Sequence, residues 1–202
     1  YFAQVWDRPE SRPALQRIPF WVTKDAAEAE SQLRERDAYA TLPLALDYTS
    51  ATVPVDRCTL LTNPTHILAK EPVLWWQLQR LMEEAEEHVY LQTPYAVPSR
   101  DMYEGLTRAA GGDVPVVLQV NSVAVGDNFV ASSDYLTNRD RLLDTGVTVW
   151  EWFGDYSSHG KAALIDDLAI VGSYNFDMRS TYLDTEMMLV FDSPAFYDLL
   201  EE

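Results

Sequence analysis

The chain has 202 residues, 47% of them hydrophobic and 12% aromatic, a composition that builds one buried core and excludes a disordered or low-complexity polymer. With 15 basic against 32 acidic residues the net charge is -17, and no basic run offsets it, which argues against nucleic-acid binding and against tight electrostatic docking on anionic lipid. A single cysteine, Cys58, excludes an internal disulfide and a cysteine-built metal site, and its place in the apolar run CTLL predicts a buried core thiol.

The opening YFAQVWDRPE has neither an initiator Met nor the regions of a signal peptide and reads as the start of a piece of something longer. No apolar window is long enough to predict a membrane-spanning helix. Residues 1–56 are weakly periodic and hold five prolines, Pro9, Pro13, Pro19, Pro43 and Pro54. The stretch KDAAEAESQLRERD has helix formers but few apolar anchors, so 1–56 is expected to be a partly helical N-terminal connector or arm. Residues 57–202 are expected to form one α/β domain.

Within that domain RCTLLT predicts a strand, and PVLWWQLQRLMEEAEE an amphipathic helix with Leu74, Leu78, Leu81 and Met82 inward. HVYLQTPYAV predicts a strand ending in a proline turn. SRDMYEGLTRAA predicts a helix capped by Ser99 and stopped at Gly111 and Gly112. VPVVLQVN predicts a buried strand, SSDYLTNRDRLLDTG a helix ended by Gly146, and VTVWEW another strand. KAALID, LAIVGS and TEMMLVF predict three more, followed by a last helix from about Pro194. The alternation implies a mixed, largely parallel β-sheet flanked by helices on both faces.

The segment HGKAALIDDLAIVGSYNFDMRSTYLDTE, residues 159–186, carries the chemistry. His159 and Lys161 are two apart at a strand start and share a face. Asp166 ends that strand, and Gly172, Ser173 and Asn175 follow the next. A hairpin of the two strands would bring the His/Lys end onto the Ser/Asn end. An ammonium, an amide and a hydroxyl suit the non-bridging oxygens of a phosphoryl group, with the imidazole as nucleophile or general acid. Glu186 is the expected acceptor for the other imidazole nitrogen. No metal or cofactor is expected, because His159 has a lysine, not a ligand cluster, as its nearest polar neighbour. His66, in NPTHILAKEP, reads as a surface-loop histidine, and His88 as a cation at a helix C-terminus.

HGK, Asp166 and GSYN together resemble the HKD motif of the phospholipase D superfamily, although five residues rather than the usual six separate Asp166 from Gly172. The likeness extends over roughly residues 60–200. QTPYAVPSRDMYEGL, QVNSVAVGD, LLDTGVTVWEW and NFDMRSTYLDTEMMLVFDSP are similar to the corresponding segments of bacterial cardiolipin synthases and phosphatidylserine synthase-like proteins. The resemblance implies phosphatidyl transfer or phosphodiester hydrolysis through a phosphohistidine, at one active site built from two HKD motifs. It implies catalytic roles for His159, Lys161, Asn175, Glu186 and Ser173, and a more structural one for Asp166.

Only one motif is present, so the expected partner is a missing N-terminal HKD half or a second copy of the chain. The alternatives are a single-motif homodimeric phosphodiesterase or nuclease, the nuclease disfavoured by the charge, and a catalytically inactive isolated half. The implied substrate is a phospholipid of the phosphatidylglycerol type, with peripheral membrane contact by a cytoplasmic full protein. The aromatic loop WEWFGDYSS could shape an apolar approach for it, with at least one of Trp150, Trp152 and Phe153 expected in the core.

Overall fold

The computed structural model describes residue 50 and residues 52–201. All of these but Ser50 and Thr52 belong to the unit Val53–Glu202. The helix expected in KDAAEAESQLRERD lies outside the described residues.

The elements run β1 (Arg57–Thr62), α1 (Val73–Glu83), β2 (Val89–Gln92), β3 (Ala96–Val97), α2 (Arg100–Ala109), β4 (Val116–Asn121) and α3 (Phe129–Leu143), then β5 (Thr148–Trp152), β6 (Ala162–Ile165), β7 (Leu168–Gly172), β8 (Phe176–Asp177), α4 (Met178–Tyr182), β9 (Met187–Asp192) and α5 (Pro194–Glu201). Seven strands form one sheet in the order β1-β9-β7-β6-β2-β4-β5, and β3 pairs with β8 apart from it.

The sheet is mixed, with parallel pairing confined to β2, β4 and β5. Those strands are joined through α2 and α3, the crossovers that parallel neighbours require. The other four pairings are antiparallel, so the parallel share is smaller than the sequence pattern implies.

Each main helix has a local cause. In α1 the buried residues Leu74, Trp75, Leu78 and Met82 recur at helical spacing on one face. No side chain of its own N-cap serves it, and the Asn63 Oδ1 accepts the Leu74 N–H at 3.3 Å instead. For α2 the Ser99 hydroxyl accepts from the Met102 N–H at 3.3 Å, as expected of a cap. Helix α3 starts three residues before the expected Ser132 because Asn128 caps it, accepting from Ala131 N–H at 3.1 Å. Gly146, at φ +90, ends the turn after α3 in a conformation that favours glycine.

Val89, Leu91, Val116, Leu118, Val120, Ile165 and Ile170 supply the inward face of the sheet, against Leu74, Trp75, Met102 and Leu106. Alternation sends Tyr90, Leu164 and Trp150 to the opposite face, which α5 covers in part.

Two expectations fail at the margins of the sheet. Cys58 is exposed rather than buried. It lies on edge strand β1, where Leu61 faces the core and alternate residues do not. His88 is not at a helix end, since α1 stops at Glu83. It stacks on Tyr90 with ring centroids 4.8 Å apart and shares a 2.6 Å hydrogen bond with the Tyr197 hydroxyl. Among the described residues, no helix is long and apolar enough to cross a membrane.

Candidate active site

Strands β6 and β7 form the expected hairpin, with Ile165 opposite Leu168 and Ala162 opposite Val171. The Gly172 N–H reaches Lys161 O at 3.2 Å, so residues 159–161 and 173–175 emerge at the same end. Strand β9 adds the third side, because Ser173 N–H donates to Met187 O at 2.9 Å and sets Glu186 beside Ser173. A side chain at Gly172 would overlap the Met187 carbonyl oxygen, so glycine is what allows β7 and β9 to close here.

His159 is exposed and Lys161 half-buried. The Lys161 ammonium donates to His159 Nδ1 at 2.7 Å and to the His159 carbonyl at 2.9 Å, and lies 3.5 Å from Nε2. A donor ammonium at Nδ1 is compatible with the tautomer that carries its proton on Nε2. Partial burial lowers the Lys161 pKa, while the fields of Glu186, Asp127 and Asp177 oppose that fall.

Glu186 does not bind His159 as expected. Its Oε2 takes the Ser173 hydroxyl in a short hydrogen bond and its Oε1 takes the Ser180 hydroxyl at 2.7 Å, while the imidazole partner is Lys161. The physical reason is reach: β9 pairs with β7, which Ser173 follows directly, and not with β6. Burial raises the Glu186 pKa and the Asp184 and Asp177 charges add to it, against the two serine donors. Asn175 Oδ1 is buried with no hydrogen-bond partner among the described residues.

Asp166 sits at the far end of the hairpin, a strand length of roughly 13 Å away along β6. Its carboxylate accepts the backbone N–H groups of Glu86, Glu87 and His88 at 2.9, 2.8 and 3.2 Å. Partial burial pushes its pKa up, but the three donors outweigh that and hold it below the ordinary value. The turn is the two residues Asp166 and Asp167, with Asp166 at φ 48, a left-handed conformation that aspartate tolerates. The missing residue of the motif therefore shortens the turn, and the ends that carry His159 and Ser173 still meet.

Several neighbours were not among the expected site residues. Tyr95 packs edge-on to His159, centroids 6.0 Å apart, and its hydroxyl donates to Asp127 at 2.7 Å. Burial, then Asp127, pushes the Tyr95 pKa up to about 12. A Cβ on Gly160 would come within 2.6 Å of Gln92 Oε1. Ser180, buried in the short helix α4, holds the far side of Glu186. His66 is exposed in its loop.

The loop before His159 is exposed and aromatic. Trp150, Trp152 and Phe153 are 64%, 37% and 68% exposed, so none of the three is a core residue. The cause is that β5 is an edge strand with its tryptophans on the open face.

With the site in place, three likenesses to known proteins bear on it. Cardiolipin synthase A of Klebsiella pneumoniae is 38% identical over 117 residues, covering 55% of this chain and 23% of that protein. The chain thus spans about a quarter of the length of this curated relative. Among solved structures, the phospholipase D family member Nuc from Salmonella typhimurium matches 72% of this chain and 89% of its own, with a TM-score of 0.57 and 15% identity. Phosphatidylserine synthase of Haemophilus influenzae matches 71% of this chain and 36% of its own, with a TM-score of 0.53 and 18% identity. The two structural matches show the fold. Residues 78–202 match the family described as cardiolipin synthase, PLD-like domain, more than half of the chain, and the chain therefore belongs to that phospholipase D-like family.

Proposed function

We propose that this chain supplies one half of a phospholipase D-type active site that transfers or hydrolyses the phosphatidyl group of a phospholipid, in the manner of a cardiolipin synthase. The observation that carries the reading is the meeting of His159 and Lys161 with Ser173, Asn175 and Glu186 at one end of the β6–β7 hairpin in a member of this family. Lys161 and Asn175 bind the non-bridging phosphoryl oxygens, and Ser173 orients Glu186 against the same end. A phosphoryl oxygen arriving there competes with Nδ1 for the Lys161 ammonium and draws it toward phosphorus.

The chemistry needs two histidines. The imidazole of the other half attacks phosphorus, the bond from phosphorus to the leaving alcohol breaks, and His159 gives its Nε2 proton to the departing oxygen. His159 then takes a proton from an incoming alcohol or water, whose oxygen displaces the first histidine from phosphorus. The Nε2–H form, with which the Lys161 contact is compatible, is the one that can donate. Trp152, Phe153 and Tyr156, exposed before His159, offer an apolar approach for lipid and peripheral contact with a membrane.

The test is turnover of a chromogenic phosphodiester by the full-length protein and its His159→Ala variant, with and without EDTA. Loss of activity in the variant, with an unchanged melting curve and no effect of EDTA, is expected. Retained activity in the variant removes the imidazole mechanism, and strong inhibition by EDTA replaces it with a metal-based one. Specific activity of this chain alone, rising with its concentration, would instead favour a single-motif enzyme that pairs with a second copy. Silence of the folded isolated chain is what the missing-half reading expects.

A further inference from the structure

We propose that Asn121, the last residue of β4, is the positioning residue that holds His159 in place, an inference that rests on the role given to His159 above. The segment 157–161 that carries the imidazole has neither helix nor strand, and His159 itself is exposed. Lys161 and Tyr95 touch the ring, but no helix or strand fixes the backbone that carries it.

Asn121 supplies the missing constraint. Its side chain is buried, 7% exposed, and pairs with both backbone groups of Ser158: Oδ1 accepts the Ser158 N–H at 2.9 Å and Nδ2 donates to the Ser158 carbonyl at 2.9 Å. That two-point grip is the one a neighbouring strand would provide, and here a single amide provides it. The carbonyl it holds belongs to the peptide bond leading into His159, so its plane sets the direction from which the imidazole leaves the chain. The same Nδ2 lies 3.1 Å from Ser157 Oγ and 3.3 Å from Pro94 O. Pro94 precedes Tyr95, whose ring stands edge-on to the imidazole.

One buried amide thus ties the backbone entering His159 to the turn that carries its aromatic neighbour. The residue type follows from the contacts. A carboxylate has no hydrogens for two carbonyl oxygens, and an apolar side chain of similar size would leave the Ser158 N–H and both carbonyls unpaired. A misplacement of about 1 Å at a reacting group can cost on the order of 100-fold in rate.

The experiment compares Asn121→Ala, Ser122→Ala and His159→Ala with the wild type in the full-length protein, using bis(para-nitrophenyl) phosphate. Ser122 is the adjacent buried residue, and its hydroxyl has no partner among the described residues, so its variant perturbs the same place without touching Ser158. Asn121→Ala is expected to lower kcat by about 100-fold with KM nearly unchanged, and Ser122→Ala to leave both alone. A kcat unchanged in Asn121→Ala, or lowered equally in Ser122→Ala, overturns the assignment.

Activity surviving in His159→Ala overturns the functional reading and this inference with it. Loss in His159→Ala beside an unimpaired Asn121→Ala sinks this inference alone. Should Asn121→Ala not fold, amide exchange in the wild type decides. Protection of the Ser158 N–H like that of the strands is expected, and exchange at the rate of a free loop overturns it.

Discussion

The two ends of the β6–β7 hairpin carry residues of one short motif and behave in opposite ways. At one end His159 and Ser173 are exposed and Lys161 and Asn175 half-buried, with Glu186 buried behind them, a carboxyl above its ordinary pKa beside an amide oxygen, that of Asn175, buried without a partner among the described residues. At the other end Asp166 is fully engaged by three backbone N–H donors and its pKa is lowered. A buried amide oxygen without a partner is costly to folding, and burial of the Glu186 carboxyl makes its charge costly too, whereas the three donors at Asp166 favour its charge. Under the proposed function, the hairpin separates phosphoryl binding from structural support by the length of one strand.

The sharpest way to break that contrast is to remove the cation at the open end. Lys161→Met should lower kcat/KM for a phosphodiester by about 100-fold to 1000-fold, the scale of losing one preorganised charge-stabilising donor. Melting temperature should hardly move, because the side chain is half-buried and its partners are groups of His159. Turnover near the wild-type rate would place the phosphoryl group elsewhere. Gly172→Ala, between the two ends, should instead act on folding, costing roughly 1–3 kcal/mol as the new methyl forces β7 from the Met187 carbonyl. Urea unfolding checks this, and an unchanged midpoint would show that the two strands part without cost.

At the closed end Asp166→Ala should cost about 1–2 kcal/mol, the usual worth of a side chain that caps several backbone N–H groups, with turnover retained. A fall in kcat without a fall in stability would move Asp166 into the chemistry and abolish the distinction between the ends.

How much of this was legible beforehand follows the same division. The hairpin, the convergence of His159 and Lys161 on Ser173, and strands such as Arg57–Thr62 could be read because alternation and motif spacing are local properties of the chain. The Glu186 partner was misread because the choice between His159 and Ser173 depends on strand order, and β9 lies beside β7 rather than β6. The burial of Cys58 and the expected core place for at least one of Trp150, Trp152 and Phe153 were misread for a related reason. An apolar residue on an edge strand looks the same in sequence as one in the middle of a sheet. Helix α4 is five residues long, too short to show a helical period. Asn121 lies in the family-like segment QVNSVAVGD but did not stand out within it, because a polar residue ending a buried strand is ordinary until the loop it holds is known.

The smallest expected effect separates the two carboxyl groups by the sign of their pH dependence. Asp166 has a lowered pKa in the folded chain, so its stabilisation is present above the ordinary carboxylate pKa and is lost as pH falls through the lowered value. Glu186 has a raised pKa, chiefly from burial. The folded chain then keeps a proton that the unfolded chain has released. Its stabilisation is complete below the ordinary carboxylate pKa and disappears as pH rises through the raised one. Urea midpoints taken from about pH 4 to about pH 8 should therefore decline less steeply with rising pH in Glu186→Gln, which cannot ionise, than in the wild type. Asp166→Asn should remove the opposite, acid-side slope. If Glu186→Gln reproduces the wild-type profile, the carboxyl titrates alike in folded and unfolded chains, and the open end of the hairpin no longer differs from the closed one in the cost of its charge.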